Sequence, residues 1–135
     1  MKHVIKSLLL FAILGLVAAC AKDEGSKPNI SYKSGPLYVT ADISLAAGSL
    51  VAVGINASKA SDGANLKKFT VTKSVNGGAA TTAFSQDLSG TEVDSYSYDY
   101  TEFLTGNAGN TIKYTFTITD VDGVSNSLSL TVTIL

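Results

Sequence analysis

Apolar and polar residues alternate with a period of two along the last part of the chain. From Thr111 to Thr119 and again from Ser127 to Ile134, every second residue is apolar or aromatic, and Thr, Ser or Lys fill the positions between them. Successive side chains of a strand point to opposite faces of a sheet, so this pattern predicts two half-buried strands. The stretch Asp120–Gly123 predicts a turn between them and therefore an antiparallel pair. The residues predicted to face the core are Ile112, Tyr114, Phe116 and Ile118 on the first strand, and Leu128, Leu130, Val132 and Ile134 on the second.

Shorter segments with the same alternation precede this pair. The dipeptide Asn76-Gly77 predicts a tight hairpin because both residues tolerate positive φ. Nothing after Cys20 shows a sustained helical period, and Phe103-Leu104 is where we predict a single helical turn that crosses between sheets. We predict strands at residues 30–33, 37–45, 49–57, 66–75, 79–87 and 92–100, with Val51, Val53, Ile55, Phe69, Val71 and Val75 facing inward.

Seven or eight short strands in the 107 residues 29–135 predict an all-β fold, an antiparallel β-sandwich of the immunoglobulin-like kind. Tyr114-x-Phe116 falls where such domains carry Tyr-x-Cys on the penultimate strand. The resemblance implies that Tyr114 is a corner tyrosine whose hydroxyl bonds back to the backbone, and that Phe116 fills the place of the cysteine. The turn Thr119–Gly123 resembles the Thr-Asp-x-Asp-Gly turn of PKD-like and cadherin-like modules of bacterial surface proteins.

The first nineteen residues have the pattern of a targeting segment. Lys2, His3 and Lys6 form a basic start, and Leu8–Ala19 is an unbroken run of twelve apolar or glycine residues. A membrane-spanning helix needs about 20 such residues, so the run is too short for a permanent membrane span. A basic start, a short apolar stretch and small residues at its end are typical of a secretory signal peptide. We therefore predict that residues 1–19 are cleaved from the mature chain.

The end of this segment, Leu16-Val17-Ala18-Ala19-Cys20, resembles the lipobox of bacterial lipoproteins. The resemblance implies cleavage between Ala19 and Cys20 and a diacylglycerol on the Cys20 thiol, which makes the membrane a partner of the protein through its lipid. Each buried methylene adds about 0.8 kcal/mol, so two or more acyl chains give a stable anchor. The alternative is an ordinary signal peptide with an incidental cysteine, but Cys20 is the only cysteine of the chain, which favours the lipobox.

Residues 20–28 are polar, lack apolar periodicity and end in Pro28, which predicts a flexible tether between the lipid and a domain at residues 29–135. Lys22-Asp23-Glu24 resembles the acidic export signal of surface lipoproteins from Bacteroidota, although a solvated tether can carry the same residues by chance. Ala21 stands where an Asp would resemble the inner-membrane retention signal of enteric bacteria. The resemblances imply an outer-membrane lipoprotein at the cell surface, with the periplasmic face as the alternative.

The residue inventory excludes several kinds of chemistry. Without residues 1–19, the chain keeps eight lysines and eleven acids, for a formal charge of −3, and has no histidine or arginine. Catalytic sites and zinc sites built on His or a free Cys are therefore excluded, and no basic surface for nucleic acid is expected. Carboxylate pairs of the glycosidase type remain possible by inventory, but the candidates share one predicted strand and its flanks, so we predict no enzyme. These candidates are Glu92, Asp94, Asp99 and Glu102.

A calcium site is one candidate binding site. Asp120 and Asp122 flank a turn that ends in Gly123, Asn126 is nearby, and calcium takes carboxylate and carbonyl oxygens. The twelfth position of an EF-hand-type loop would be Thr131 instead of Glu. A hairpin turn that uses Asp and Gly for local backbone bonding explains the same residues, so we predict no cofactor apart from the lipid and keep calcium as the less favoured reading.

A tyrosine stripe is the other candidate. Tyr96, Tyr98 and Tyr100 alternate with polar residues, so one face of a strand carries three rings. Exposed rings could stack on sugars or anchor a protein, whereas rings that point inward would be core. The polar opposite face favours the core, and a mixed arrangement would leave Tyr100 partly exposed at the rim.

Two further features are interpreted as ordinary surface. Lys67, Lys68 and Lys73 mark a mildly basic strand, which we interpret as its solvated face. Asn29-Ile30-Ser31 and Asn56-Ala57-Ser58 match the glycosylation sequon, which means little in a bacterial protein.

The sequence thus predicts a lipid-anchored, non-enzymatic envelope protein whose domain is a binding or structural module of the adhesion type. The alternative is a glycan-binding accessory lipoprotein of a nutrient-uptake system, with the tyrosine stripe or the loop ends as its platform.

Overall fold

The computed structural model describes residues 25–135; the predicted signal peptide, Ala19, Cys20 and Lys22-Asp23-Glu24 lie outside this range. Within it the chain forms eight strands and one short 3₁₀ turn, Gly90–Val93. The strands are β1 (Asn29–Tyr32), β2 (Ile43–Leu45), β3 (Leu50–Ser58), β4 (Leu66–Val75), β5 (Thr81–Asp87), β6 (Ser95–Phe103), β7 (Thr111–Asp120) and β8 (Ser125–Ile134).

The strands form two sheets, with the orders β1-β3-β6 and β2-β8-β7-β4-β5. The prediction of an all-β sandwich is confirmed. Every pair is antiparallel except β2 with β8, which is parallel, so the all-antiparallel part of the prediction is wrong at this edge. The two strands come from opposite ends of the domain and no tight turn links them, so hairpin geometry does not set their relative direction.

The core lies between the two sheets, where the alternation predicted it. Val51, Val53 and Ile55 of β3 are fully buried, and so are Phe69 and Val71 of β4. The other buried apolar residues include the predicted inward faces of β7 and β8, except that Leu128 is only half-buried. Val75 was also predicted to face inward, but it is 45% exposed because it ends β4 at the hairpin turn.

The strand ends differ from the prediction by one to three residues in most strands, and three differences are informative. The strand predicted at 37–45 is limited to Ile43–Leu45, and residues 37–42 form a loop that touches β3 where the Val39 N–H donates to the Ala52 carbonyl at 2.8 Å. The helical turn predicted at Phe103-Leu104 is wrong, since Phe103 ends β6. The chain does cross from the small sheet to the large one after Phe103, but the short helical turn lies at Gly90–Val93, on the earlier crossing from β5 to β6, and it delays the start of β6 to Ser95. The hairpin at Asn76-Gly77 is confirmed, with φ of 51° and 72°.

Tyr114 does not make the backbone hydrogen bond that the immunoglobulin resemblance implied. Its ring is fully buried in the middle of the core, and its hydroxyl has no hydrogen-bond partner among the described residues. Burial raises the pKa of Tyr114, and the Glu102 carboxylate raises it further. Phe116 does fill the core, where its ring lies edge-on to Tyr32 and Tyr100 at centroid distances of 6.4 and 6.1 Å.

Candidate functional site

The tyrosine stripe of β6 faces the core. Tyr96 and Tyr100 are 7% and 9% exposed, and only Tyr98 is half-buried. Phe69 lies 5.2 Å from Tyr96 and 5.5 Å from Tyr98, and Phe84 stacks on Tyr98 at 4.3 Å. The favoured core reading therefore agrees with the structure and the three rings do not form an exposed ligand platform; the partly exposed ring is Tyr98, whereas the mixed arrangement would have exposed Tyr100.

The acidic residues near this strand hold neighbouring segments in place. The Tyr96 hydroxyl donates to Gln86 at 3.0 Å, and the Gln86 amide donates to Glu92 at 3.1 Å. The Ser89 N–H also donates to Glu92, which fastens the start of the 3₁₀ turn. Burial raises the pKa of Tyr96 to about 12. This network ties β5 to β6 across the open side of the sandwich.

Lys73 faces the core and not solvent, which corrects its interpretation as part of a solvated face. It lies opposite Tyr114 in the β4–β7 register, and its ammonium group lies 2.5 Å from the Glu102 carboxylate of the other sheet. The Tyr100 hydroxyl donates to the second oxygen of Glu102 at 2.8 Å. Burial alone would raise the pKa of Glu102, but the hydrogen bonds from Lys73 and Tyr100 outweigh it and lower that pKa.

Asp120, Asp122 and Asn126, the residues of the calcium hypothesis, have local structural roles. The N–H groups of Asp122 and Val124 donate to one carboxylate oxygen of Asp120 at 3.0 and 2.8 Å. The Asn126 amide donates to the Pro28 carbonyl at 2.9 Å. No group of three or more His, Cys, Asp or Glu side chains within residues 25–135 is placed to hold a metal ion. Calcium binding stays the less favoured alternative, and the turn geometry alone accounts for these residues.

Replacing Asp120 should therefore destabilise the β7–β8 turn. Asp120→Ala leaves two N–H groups without their acceptor beside a buried position, and we expect a loss of about 1–3 kcal/mol in the free energy of unfolding. Asp120→Asn keeps an acceptor oxygen and should lose about half of that. Urea denaturation of the full chain, followed by circular dichroism, measures both changes.

The exposed Asp122 provides the control for this comparison. Asp122→Ala should change stability by no more than about 0.5 kcal/mol. Equal losses at Asp120 and Asp122 would contradict the assigned turn. A rise in Tm with added calcium that disappears in Asp120→Ala would instead favour the calcium hypothesis.

The outer face of the small sheet β1-β3-β6 carries a shallow groove of about 400 Å³. Two rows of small polar side chains lie across it, in register on the three strands. We call this feature the polar groove. Its side chains are Asn29, Ser58 and Ser95 in the first row and Ser31, Asn56 and Ser97 in the second.

A loop residue lies one row beyond the polar groove. Tyr38 and the stem of Lys33 cover Gly54 of β3, where an added Cβ would lie 2.9 Å from the Tyr38 ring and 2.7 Å from the Lys33 stem. The absence of a side chain at Gly54 therefore lets the loop lie against the sheet. Lys33 forms an ion pair with Asp99 at 2.7 Å in the same row, and this carboxylate raises the pKa of Tyr38.

The polar groove was not predicted from the sequence, although its residues carry a recognisable signal. The two sequon-like triplets at residues 29–31 and 56–58 are the outward faces of β1 and β3, and they pair with each other in the sheet. The serines at 95 and 97 are the polar face opposite the tyrosine stripe. The missing information was the strand order, which brings these three segments side by side.

The amino-terminal end of the described chain lies next to the polar groove. Gly25–Lys27 are exposed, whereas Pro28 is buried, so burial begins at the last residue of the predicted tether, one residue before the predicted start of the domain. Between residues 25 and 135, no helix is long and apolar enough to cross a membrane.

Comparison with known proteins shows little similarity. No protein-family model matches the sequence, and no curated protein shows significant similarity to it. Among solved structures, the chain is similar to the crystal structure of Spo0M, a sporulation control protein from Bacillus subtilis, with 10% identity and a TM-score of 0.44. The match covers 82% of this chain and 49% of that one, so this chain spans about half the length of Spo0M.

Proposed function

We propose that the protein is a lipid-anchored envelope protein whose immunoglobulin-like domain is a non-enzymatic binding module. The resemblance of Leu16–Cys20 to a lipobox supports the anchor. The exposed residues Gly25–Lys27 ahead of the buried Pro28 are consistent with a tether that ends where the fold begins. The export-like residues Lys22-Asp23-Glu24 support a location on the outer surface of the outer membrane.

The partners of the acidic residues support a binding role over a catalytic one. A general acid or base needs a carboxyl group that is free to reach a substrate. Each of the four acids considered for catalysis is held by a neighbour in the structure. The pairs are Glu92 with Gln86, Asp94 with Lys59, Asp99 with Lys33, and Glu102 with Lys73.

The observation that carries the proposal is the polar groove. It is concave, and its second row, Ser31, Asn56 and Ser97, faces solvent. No side-chain hydrogen bond found within the described range uses these three residues. Unengaged donors and acceptors on a concave surface are what a binding module offers to a ligand.

Protease treatment of intact cells tests the location. In a diderm host of the Bacteroidota type that expresses the full chain, external protease should cut the tether and release the domain, while a periplasmic lipoprotein survives. Lipid attachment is measured in the same cells with an alkyne-labelled palmitate. We expect label on the wild-type chain and none on Cys20→Ser.

Alanine at positions 22–24 is the matched control for export. This triple variant should keep its lipid label but become protected from protease until the envelope is lysed. An unlabelled wild-type chain would overturn the lipid anchor. A labelled wild-type chain that is protected in intact cells would place the domain in the periplasm and contradict surface exposure.

A further inference from the structure

We propose that the polar groove is a binding site for a neutral saccharide. The inference rests on the proposed function as a binding module and names the ligand class and the site. It assigns the recognition to side chains of β1, β3 and β6 that point away from the core, and not to the tyrosine stripe on the inner face of β6.

The outward-facing side chains match the hydrogen-bonding chemistry of sugar hydroxyl groups, while Ile30, Ala57 and Tyr96 add apolar surface to the lining that can contact the C–H groups of a sugar ring. The groove offers two side-chain amides and four hydroxyls, so each row contains both donors and acceptors. Sugar hydroxyls also donate and accept. Strands lie about 4.8 Å apart and alternate residues about 7 Å apart, so the six side chains cover an area of about 7 by 10 Å. This area suits one or two pyranose rings.

The polar side chains are available to a ligand. The one hydrogen bond between groove side chains is the long contact of 3.4 Å from Asn29 to Ser58. Asn56, Ser31 and Ser97 are exposed, with bonding capacity left for a ligand. The volume of about 400 Å³ lies in the range of roughly 300–1,000 Å³ that small-molecule sites occupy.

The charges around the groove select a neutral ligand. At one end Lys33 pairs with Asp99 at 2.7 Å, and at the other Lys59 pairs with Asp94 at 2.5 Å. Each pair is neutral, and the six groove side chains carry no charge. Lys33 and Lys59 are already paired, so an anionic glycan or a phosphorylated ligand would gain no free cation from either of them, whereas a neutral sugar needs none.

Tyr38 supplies an aromatic surface beside the groove. Its ring is half-buried over Gly54, in the row next to Ser31, Asn56 and Ser97. An aromatic face contacts the apolar C–H groups of a pyranose ring, while its hydroxyl remains polar. A saccharide longer than two rings would extend from the groove onto Tyr38.

Titration of the full chain with defined sugars tests the proposal. The chain is held in a detergent without a sugar headgroup, and the probes are glucan, xylan and mannan hexasaccharides with a heparin-derived hexasaccharide as the acidic comparison. We expect at least one neutral probe to bind with a millimolar or tighter Kd and the acidic probe to bind more weakly. In NMR spectra of the isotope-labelled chain, the side-chain amides of Asn29 and Asn56 should shift with the bound fraction.

Matched double variants assign the site. Asn56→Ala with Ser97→Ala removes two donor–acceptor groups from the groove and should weaken binding about tenfold or more. Asn107→Ala with Ser129→Ala makes the same chemical changes at exposed positions elsewhere and should bind like the wild type. An unchanged Tm for both variants would show that any loss of sugar binding is a local effect and does not come from unfolding.

Three results would overturn the proposal: no binding of any neutral probe, equal or tighter binding of the acidic probe, or wild-type affinity in the groove variant. None of them affects the lipid anchor, because palmitate labelling of Cys20 is measured independently. Conversely, loss of the label with retained sugar binding would overturn the anchoring part of the proposed function and leave the saccharide site standing.

Discussion

Tyr100→Ala is expected to lower the free energy of unfolding by about 3–5 kcal/mol, the usual range for truncating a large buried aromatic side chain. Tyr100 is 9% exposed and lies 5.6 Å from the Tyr114 ring and 6.1 Å from the Phe116 ring. Its hydroxyl also donates to Glu102 at 2.8 Å. The total free energy of unfolding of a domain of this size is only about 5–15 kcal/mol, so this substitution should remove much of the stability. Urea denaturation of the full chain in detergent, followed by circular dichroism, measures the change.

Two variants separate the causes of this loss. Tyr100→Phe keeps the ring and removes one hydrogen bond to a charged group, so we expect the free energy of unfolding to fall by about 1.5–3 kcal/mol. Tyr98→Ala removes a half-buried ring of the same strand and should cost less than Tyr100→Ala. A Tyr100→Ala chain with the urea midpoint of the wild type would contradict a core position and would return the tyrosine stripe to the candidate ligand surfaces.

The sequence predicts best the strands that have one solvent-exposed face and one buried face. In β7 and β8, threonine and serine alternate with large apolar residues, and the buried positions agree with the alternation almost residue by residue. The strand predicted at 37–45 failed at its start: Leu37 is exposed and Tyr38 lies over Gly54 on the outside of the small sheet, so of these three apolar residues only Val39 packs against the core. Composition does not reveal which side of a sheet an apolar loop covers.

Lys73 shows a conflict between charge and periodicity. Phe69, Val71 and Lys73 are separated by two residues each, so the alternation alone places Lys73 on the inner face. Its charge favoured the solvated face. The structure resolves the conflict with Glu102, a partner 29 residues away on the other sheet. Such pairing depends on how the sheets stack, which the sequence pattern of a single strand does not contain.

The polar groove could be predicted only in pieces. Each of its three segments has outward-facing Ser or Asn residues, but so does any strand with a solvent-exposed face. The site arises because β1 and β6 flank β3 in register, and that order depends on contacts between residues far apart in the chain. Fold class follows from local alternation, whereas this site follows from topology.

The Lys73–Glu102 pair provides the second large effect. The side chains are 28% and 19% exposed, so breaking the pair leaves a charge that water solvates incompletely. Removing one partner of a fully buried pair costs about 3–5 kcal/mol, and partial exposure should reduce this to about 2–3 kcal/mol for either Lys73→Met or Glu102→Gln. Because each single change leaves the other group unpaired, the double variant should lose less than the sum of the two.

The Lys33–Asp99 pair is the matched control, since it has a similar distance of 2.7 Å but a half-exposed carboxylate. Lys33→Met and Asp99→Asn should each cost about 0–1 kcal/mol, and added salt should reduce that cost further. Losses at Lys73 and Glu102 that are as small as these, or that add up independently in the double variant, would contradict a stabilising, partly buried ion pair between the sheets.

The stabilisation by the Lys73–Glu102 pair should also disappear at low pH. The Glu102 pKa is lower in the folded chain than its ordinary value of 4.5. A carboxyl group with a lowered folded pKa stabilises the fold above its unfolded pKa, and this contribution disappears as the pH falls through the folded value. The stability difference between the wild type and Glu102→Gln should therefore be full at neutral pH and shrink below about pH 4. A difference that stays constant between neutral and strongly acidic pH would mean that the carboxylate charge contributes nothing, and that Glu102 acts through packing alone.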